Sequence, residues 1–442
     1  MKLRYTAPRI LGLAVPVIFS QLSLTMVQIV DTMFIGRLGP LQLSAAALVG
    51  LLFWNIQNIG EGFSVGLTAC VARMIGSKDL EEAALFVKTG QIGLAVLGVA
   101  FIPLFYSIII PIFRVIAMPE ELFGFGASYM YSLIPFIPFI FLLTAVQAAY
   151  RASGNTKTPM VVGFAMNGLN IFLDWVLIFG KLGFPTLGIA GAAIASGISF
   201  TAGWAALLII SGKYEWGSRG KAVVFSFSHL WRIIRLGLPA TIERMTMSIS
   251  QLMVIALSVN PLGSFHIAAS HIVIRMASIS FMPGFGFSIA ASTLSGQKLG
   301  AGKPEEGARY IWHTVIFCAF VMAGISVLFF SIPGSLSRLF TDDITILALT
   351  PTPLRIYASF AVFLAPTMVL SGGLRGAGDT TFTMITMFCT RFIIRLPLSY
   401  VLSIVLGFGL TGVWIAMCSD FVIRAVILSI RMNRGKWKTI KI

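Results

Sequence analysis

Three polar side chains recur at spacings of three and four in Asn167-Gly-Leu-Asn170-Ile-Phe-Leu-Asp174, inside an otherwise apolar run. On a helix those spacings place them on one stripe. A carboxylate with amide oxygens beside it is a ligand set for a hard cation such as Na+. A carboxyl near a second acid equally suits a shared proton. Asp31 is a further acid inside an apolar run; it ends Val27-Gln28-Ile29-Val30-Asp31, with Gln28 on the same face. The blander uses are a hydrogen-bonded packing network for the Asn–Asn–Asp stripe and an interfacial position for Asp31, since Gly36 and Arg37 follow closely. Glu61 either joins this site or pairs with Asn58. Tyr129, Gln147 and Ser196 could supply further oxygens or simply pack.

The second half of the chain carries base where the first carries acid. The position matching Asp31 is about Val254, and the stretch matching Asn170 and Asp174 is Arg391-Phe-Ile-Ile-Arg395. Glu243 either pairs with a base of its own half or receives a cationic substrate. Gln28, Asn167, Glu243, Arg391 and Arg395 are therefore the candidate substrate contacts.

These groups stand in a strongly apolar chain. Of 442 residues 57% are hydrophobic and only 11% charged, against roughly 25% charged in soluble domains. About 20 apolar residues cross a bilayer core of about 30 Å. Twelve candidate spans fall near 10–35, 43–72, 84–113, 122–150, 158–180, 187–212, 230–258, 264–296, 308–333, 347–373, 381–406 and 409–432. A carboxylate at the centre of such a span costs about 2.5–3.5 kcal/mol on insertion scales, which is why the intramembrane acids carry the functional signal. The spans do not alternate apolar and polar residues, which excludes a β-barrel. The first run is long, carries Asp31 and lacks a small-residue cleavage site, so it reads as a retained helix rather than a signal peptide.

The net charge of +16 points to a membrane topology rather than to nucleic acid. Lys and Arg cluster in alternate loops, leaving Arg37, Arg114, Lys181 and Arg338 on the opposite side. The positive-inside rule then puts both termini in the cytoplasm, with the plasma membrane as the expected location and the lipid bilayer as a partner. Residues 223–235 mix aromatic and basic side chains, which suits a helix on the membrane surface.

The chain is also written twice. Arg151-Ala-Ser-Gly-Asn-Thr156 matches Arg375-Gly-Ala-Gly-Asp-Thr380 at a shift of 224, as Gly76 with Glu81 and Glu82 matches Gly300 with Glu305 and Glu306. Leu13-Ala-Val-Pro16 matches Leu236-Gly-Leu-Pro239. Two parallel six-helix lobes follow, because an even number of helices per repeat preserves orientation. The expected organisation is 1–212 for the N-terminal lobe, 213–230 for a cytoplasmic linker, 231–432 for the C-terminal lobe and 433–442 for a basic tail. The fold class is thus all-α polytopic membrane protein, with twelve transmembrane helices in two pseudo-symmetric lobes. No P-loop, HExxH or Ser/His/Asp pattern stands out, so the chain is expected to be no enzyme, to need no cofactor and to draw on an ion gradient.

The motifs together resemble those of the multidrug and toxic compound extrusion (MATE) family. Asp31-Thr-Met-Phe-Ile-Gly-Arg-Leu-Gly-Pro40 is similar to its first-helix signature. Ala72-Arg-Met-Ile-Gly76, Arg151-Ala-Ser-Gly-Asn155 and Asn170-Ile-Phe-Leu-Asp174 resemble later ones, and Arg375-Gly-Ala-Gly-Asp379 the second-lobe copy of the third. The first-half acids look most like the prokaryotic DinF-like branch. The resemblance implies a V of two six-helix lobes that exports drugs against inward H+ or Na+. By the same resemblance Asp31, Asn170 and Asp174 match the cation site and Tyr129 an accessory aromatic. Ser196 stands where Thr is typical and Gln147 where Asn is. In another branch the key second-lobe Glu lies two turns after the proline; Glu243 lies one turn after Pro239. The implied activity is antiport of an organic cation or amphiphile for H+ or Na+ by a monomer. A flippase of lipid-linked saccharides, using Arg275, Arg391 and Arg395 on a pyrophosphate, is the first rival. A non-transporting scaffold is the second.

Overall fold

The structure, a computed structural model, describes residues 3–214, 216, 225–440 and 442. Residues 215 and 217–224, half of the expected linker, and Lys441 of the expected tail lie outside the described residues. Among the described residues twelve helices are long and apolar enough to cross a membrane. They are α1 (Leu3–Gly36), α2 (Pro40–Ser77), α3 (Leu80–Val115), α4 (Glu120–Ser153), α5 (Lys157–Phe179), α6 (Ile189–Ser211), α7 (Phe227–Leu262), α8 (Ser264–Gly300), α9 (Pro304–Ser331), α10 (Ile344–Gly376), α11 (Thr380–Val405) and α12 (Gly409–Asn433). Each coincides with one of the spans read from hydropathy. The ends extend further in most because the polar turns flanking each apolar run also hold helical hydrogen bonds. Residues 227–235, expected as a surface helix, are instead the first turns of α7, which continues unbroken to Val254. Gly237 and Pro239, which follow, do not end the helix.

The helices form two compact units: Phe19–Gly237, and Leu238–Ile442 together with Met1–Ile18. Within the first, α2 packs on α3 and α4, α3 on α4, and α5 on α6. Within the second, α8 packs on α9 and α10, α9 on α10, and α11 on α12. The duplication in sequence is therefore repeated in packing. The boundaries at 18/19 and 237/238 differ from the lobe edges expected at 212 and 231. Ile10, Leu13 and Ala14 of α1 join the buried cluster of the second unit, with Val273, Leu370 and Trp414. Leu230 and Ile233 of α7 lie against Gly93 and Gly90 of α3 in the first. The chain thus passes between units inside α1 and inside α7, within two residues of Pro16 and Pro239.

The repeated Arg-x-x-Gly motif has a local explanation. Gly154 (φ +86°) and Gly378 (φ +92°) adopt left-handed backbone just past the arginine, the conformation that ends a helix and that glycine tolerates best. The next residue then makes a side-chain contact, with the following helix in the first unit and with α12 in the second. Asn155 accepts from the Thr158 N–H at 3.0 Å and donates to Tyr214 Oη at 2.8 Å. Asp379 accepts both arms of Arg431, at 2.8 and 3.2 Å.

Candidate functional site

Asp31 lies five residues before the end of α1, and Asp174 five before the end of α5. The two carboxyls are neighbours, close enough to interact electrostatically. Asp174 is completely buried, and neither of its oxygens meets a donor among the described residues. With its amide oriented to match its neighbours, Asn170 donates to Asp31 Oδ1 at 3.3 Å and accepts from the Ser196 N–H at 3.3 Å. Close packing of α5 on α6 makes this possible. A Cβ on Gly191 would sit 2.7 Å from the Leu177 carbonyl oxygen, so only glycine lets the backbones approach this closely. Asn167, one turn further along the stripe, donates to Ser23 Oγ of α1 at 2.7 Å. The stripe on α5 is thus stitched to α1 at two levels.

Beyond the acids the site closes on apolar groups. Tyr129 is half-buried and packs with Phe34 and Phe179 around Ile35, Ile178 and Ala192. Phe34 and Phe179 meet edge to face, with ring centroids 5.7 Å apart. The structure therefore brings Asp31, Asn170, Asp174 and Ser196 together, with Tyr129 nearby. It does not bring Gln147, Gln28 or Glu61 into that group. Gln147 is on α4 with no side-chain hydrogen bond to it among the described residues, and Gln28 is exposed. Glu61 lies 3.8 Å from Arg151 Nη2, and Ser64 Oγ donates to Glu61 Oε2 at 3.3 Å while accepting from Arg151 at 3.1 Å.

This cluster has a copy in the second unit. Arg375 donates to Ser288 Oγ at 3.2 Å, the equivalent of Arg151 and Ser64 at the same shift of 224. The acid comes from elsewhere: Glu243 on α7 accepts from Arg375 at 3.4 Å and from Thr383 Oγ1 at 3.0 Å. Glu243 is buried, so within-unit pairing accounts for it. Ser64, Ser288 and Thr383 carried no sequence signal of their own, because hydroxyls are frequent in such helices. The fixed shift applied to Ser64 would have found Ser288.

Arg391 and Arg395 sit near the middle of α11, in a π-helical stretch, Cys389–Arg395. They are buried together with Asp420 and Arg424 of α12. Sequence reasoning missed this last pair, although two opposite charges four apart in an apolar span meet the criterion applied to Asp31.

Two stretches, residues 16–176 and 239–401, match the MatE family model. Their starts are 223 residues apart, in register with the internal repeat. A probable multidrug resistance protein NorM of Thermotoga maritima is 31% identical over 97% of this chain and 92% of its own length. A transporter of Bacillus subtilis, YisQ, is 26% identical over 95% of each. Among solved structures, an outward-facing multidrug resistance MATE family transporter of the MOP superfamily superposes with a TM-score of 0.88 at 22% identity, covering 98% of this chain and 97% of that one. A MATE structure in a bent conformation gives 0.90, also at 22% identity, over 98% of this chain and 96% of that one.

Proposed function

Since the chain belongs to the MatE family, whose multi-pass members are efflux transporters and typically ion-coupled, we propose that it is a secondary antiporter that exports organic cations or amphiphiles in exchange for H+ or Na+. In this reading it is a monomer of the DinF-like branch, in the plasma membrane with both termini cytoplasmic. The observation that carries it is the facing pair Asp31 and Asp174, with Asn170 bridging to Ser196. Two neighbouring carboxylates, one of them wholly buried, repel strongly. A shared proton or a Na+ held by Asp31, Asn170 and Asp174 offsets that repulsion and supplies the donor or cation that Asp174 lacks among the described protein groups. Ion binding thereby favours one arrangement of α1 against α5, and cargo favours the other. Exchange requires only that the two ligands prefer different states.

The test is efflux of a cationic dye from proteoliposomes with a pH or a Na+ gradient imposed separately. One gradient drives efflux in the wild type. Asp31→Asn and Asp174→Asn insert normally but reduce efflux to background. Undiminished gradient-driven efflux in both variants overturns the reading.

A further inference from the structure

The second unit buries more positive charge than it neutralises. Arg391, Arg395 and Arg424 are 4%, 2% and 4% exposed, and Asp420 is 0% exposed. Asp420 takes one arm of Arg424 at 3.2 Å and lies 3.9 Å from Arg391 Nε. The nearby acid Glu243 is already paired with Arg375 and Thr383. Three buried guanidiniums thus share one carboxylate.

Their hydrogen-bond inventory is equally lopsided. A guanidinium has five N–H donors and accepts nothing. Against these stand Ser250 Oγ for Arg391 at 3.3 Å, Gln251 Oε1 for Arg395 at 2.6 Å, and Asp420. Arg391 and Arg424 both turn to the thioether of Met387, at 3.1 and 2.6 Å, a weak acceptor. The Nε groups of Arg395 and Arg424 find no partner among the described residues. A buried donor without an acceptor is destabilising, more so for a charged group. Arg391 and Arg395 also lie where α11 departs from α geometry, in the π-helical stretch Cys389–Arg395, a form that occurs mostly at functional positions.

We infer that Arg391, Arg395 and Arg424 form an anion site within the second unit that takes a carboxylate or phosphate group. A planar fork with free N–H groups matches such oxygens bidentately, and an added negative charge offsets the excess. Asp420 then acts as a resident competitor that occupies the arginines when no anion is bound. The site rests on the export reading only for what the anion is attached to: the head group of an amphiphilic cargo or a free oxyanion.

The experiment is a melting titration of the purified full chain in dodecyl maltoside, at ionic strength matched with sodium chloride. Sodium phosphate, dodecyl phosphate and, as cationic control, dodecyltrimethylammonium are compared. The expected result is a rise of at least about 2 °C with a phosphate probe and none with the cation. The rise is lost in Arg395→Gln and Arg424→Gln. In Asp420→Asn the half-saturating concentration falls about tenfold, because one competing charge is gone. A rise with dodecyl phosphate alone assigns the anion to an amphiphile; an equal rise with both assigns it to a free oxyanion. No rise in wild type and Asp420→Asn beyond the chloride control overturns the inference, and so does a rise that persists in both arginine variants. Should the arginine variants fail to fold, wild type and Asp420→Asn still decide. Asp31→Asn protein is titrated alongside: an intact anion response with no gradient-driven efflux in the wild type sinks the export reading and leaves this site standing.

Discussion

At Asn170 a single amide connects the two helices that carry the acids, α1 and α5, to α6 through the Ser196 backbone. Asn170→Ala removes that bridge while keeping both charges. The ion concentration giving half-maximal efflux should therefore rise about tenfold, one charge-assisted hydrogen bond being worth about 1.5 kcal/mol, with the maximal rate little changed. Gln147→Ala should leave both unchanged, since Gln147 makes no hydrogen bond to the group among the described residues. Titrating efflux against H+ and Na+ in the two variants checks both. At Glu243 the prediction concerns stability. Glu243→Ala leaves Arg375 beside Ser288 with no acid, and breaking a buried pair from one side costs on the order of 3 kcal/mol. A melting point several degrees lower in detergent is expected. Glu61→Ala should cost much less, because its contact with Arg151 is long and its side chain is 27% exposed. Much of the acid site is legible in the sequence, since Asp31, Asn170 and Asp174 are polar exceptions on an apolar background. Pairing of Glu243 within its own half is one of the two readings the sequence allows, but its partner Arg375 is not legible, because position 285, where the repeat would place the acid, is Phe285. Nothing local says that α7 supplies the acid instead.

At the level of helices, the close contacts are made by glycine against backbone. A Cβ on Gly376 of α10 would run into the Ser292 backbone of α8. Backbone cannot step aside by changing rotamer, so Gly376→Val should separate α8 from α10 and abolish folded yield. Gly168→Ala on α5 faces open space. There the change should be neutral or stabilising by up to about 1 kcal/mol, since alanine favours helix. Size-exclusion profiles and melting of the two variants make the comparison. Helix number, order and approximate ends were legible because lipid demands long apolar runs. The π-helical turns of α7 and α11 were not, because they reflect local accommodation of packing rather than composition.

For the whole molecule, the division into units crosses the division of the sequence. The repeat sets a boundary in the loop after α6, yet that loop joins two parts of the same unit. No pattern in one chain could have shown this, since exchanged half-helices keep the hydropathy of ordinary ones. Fragments cut between residues 216 and 225 should each be unstable alone, because each lacks half a helix that the other supplies. Expressed together they should restore folded protein, as measured by co-purification and efflux. The proline positions then acquire a meaning. Among the described residues no slack tether connects the units; the polypeptide goes across only as two rods, each with a missing amide hydrogen next to the crossing point. A change of curvature at Pro16 or Pro239 would therefore fall where the backbone leaves one unit for the other, so that helix geometry and unit membership meet at the same residues.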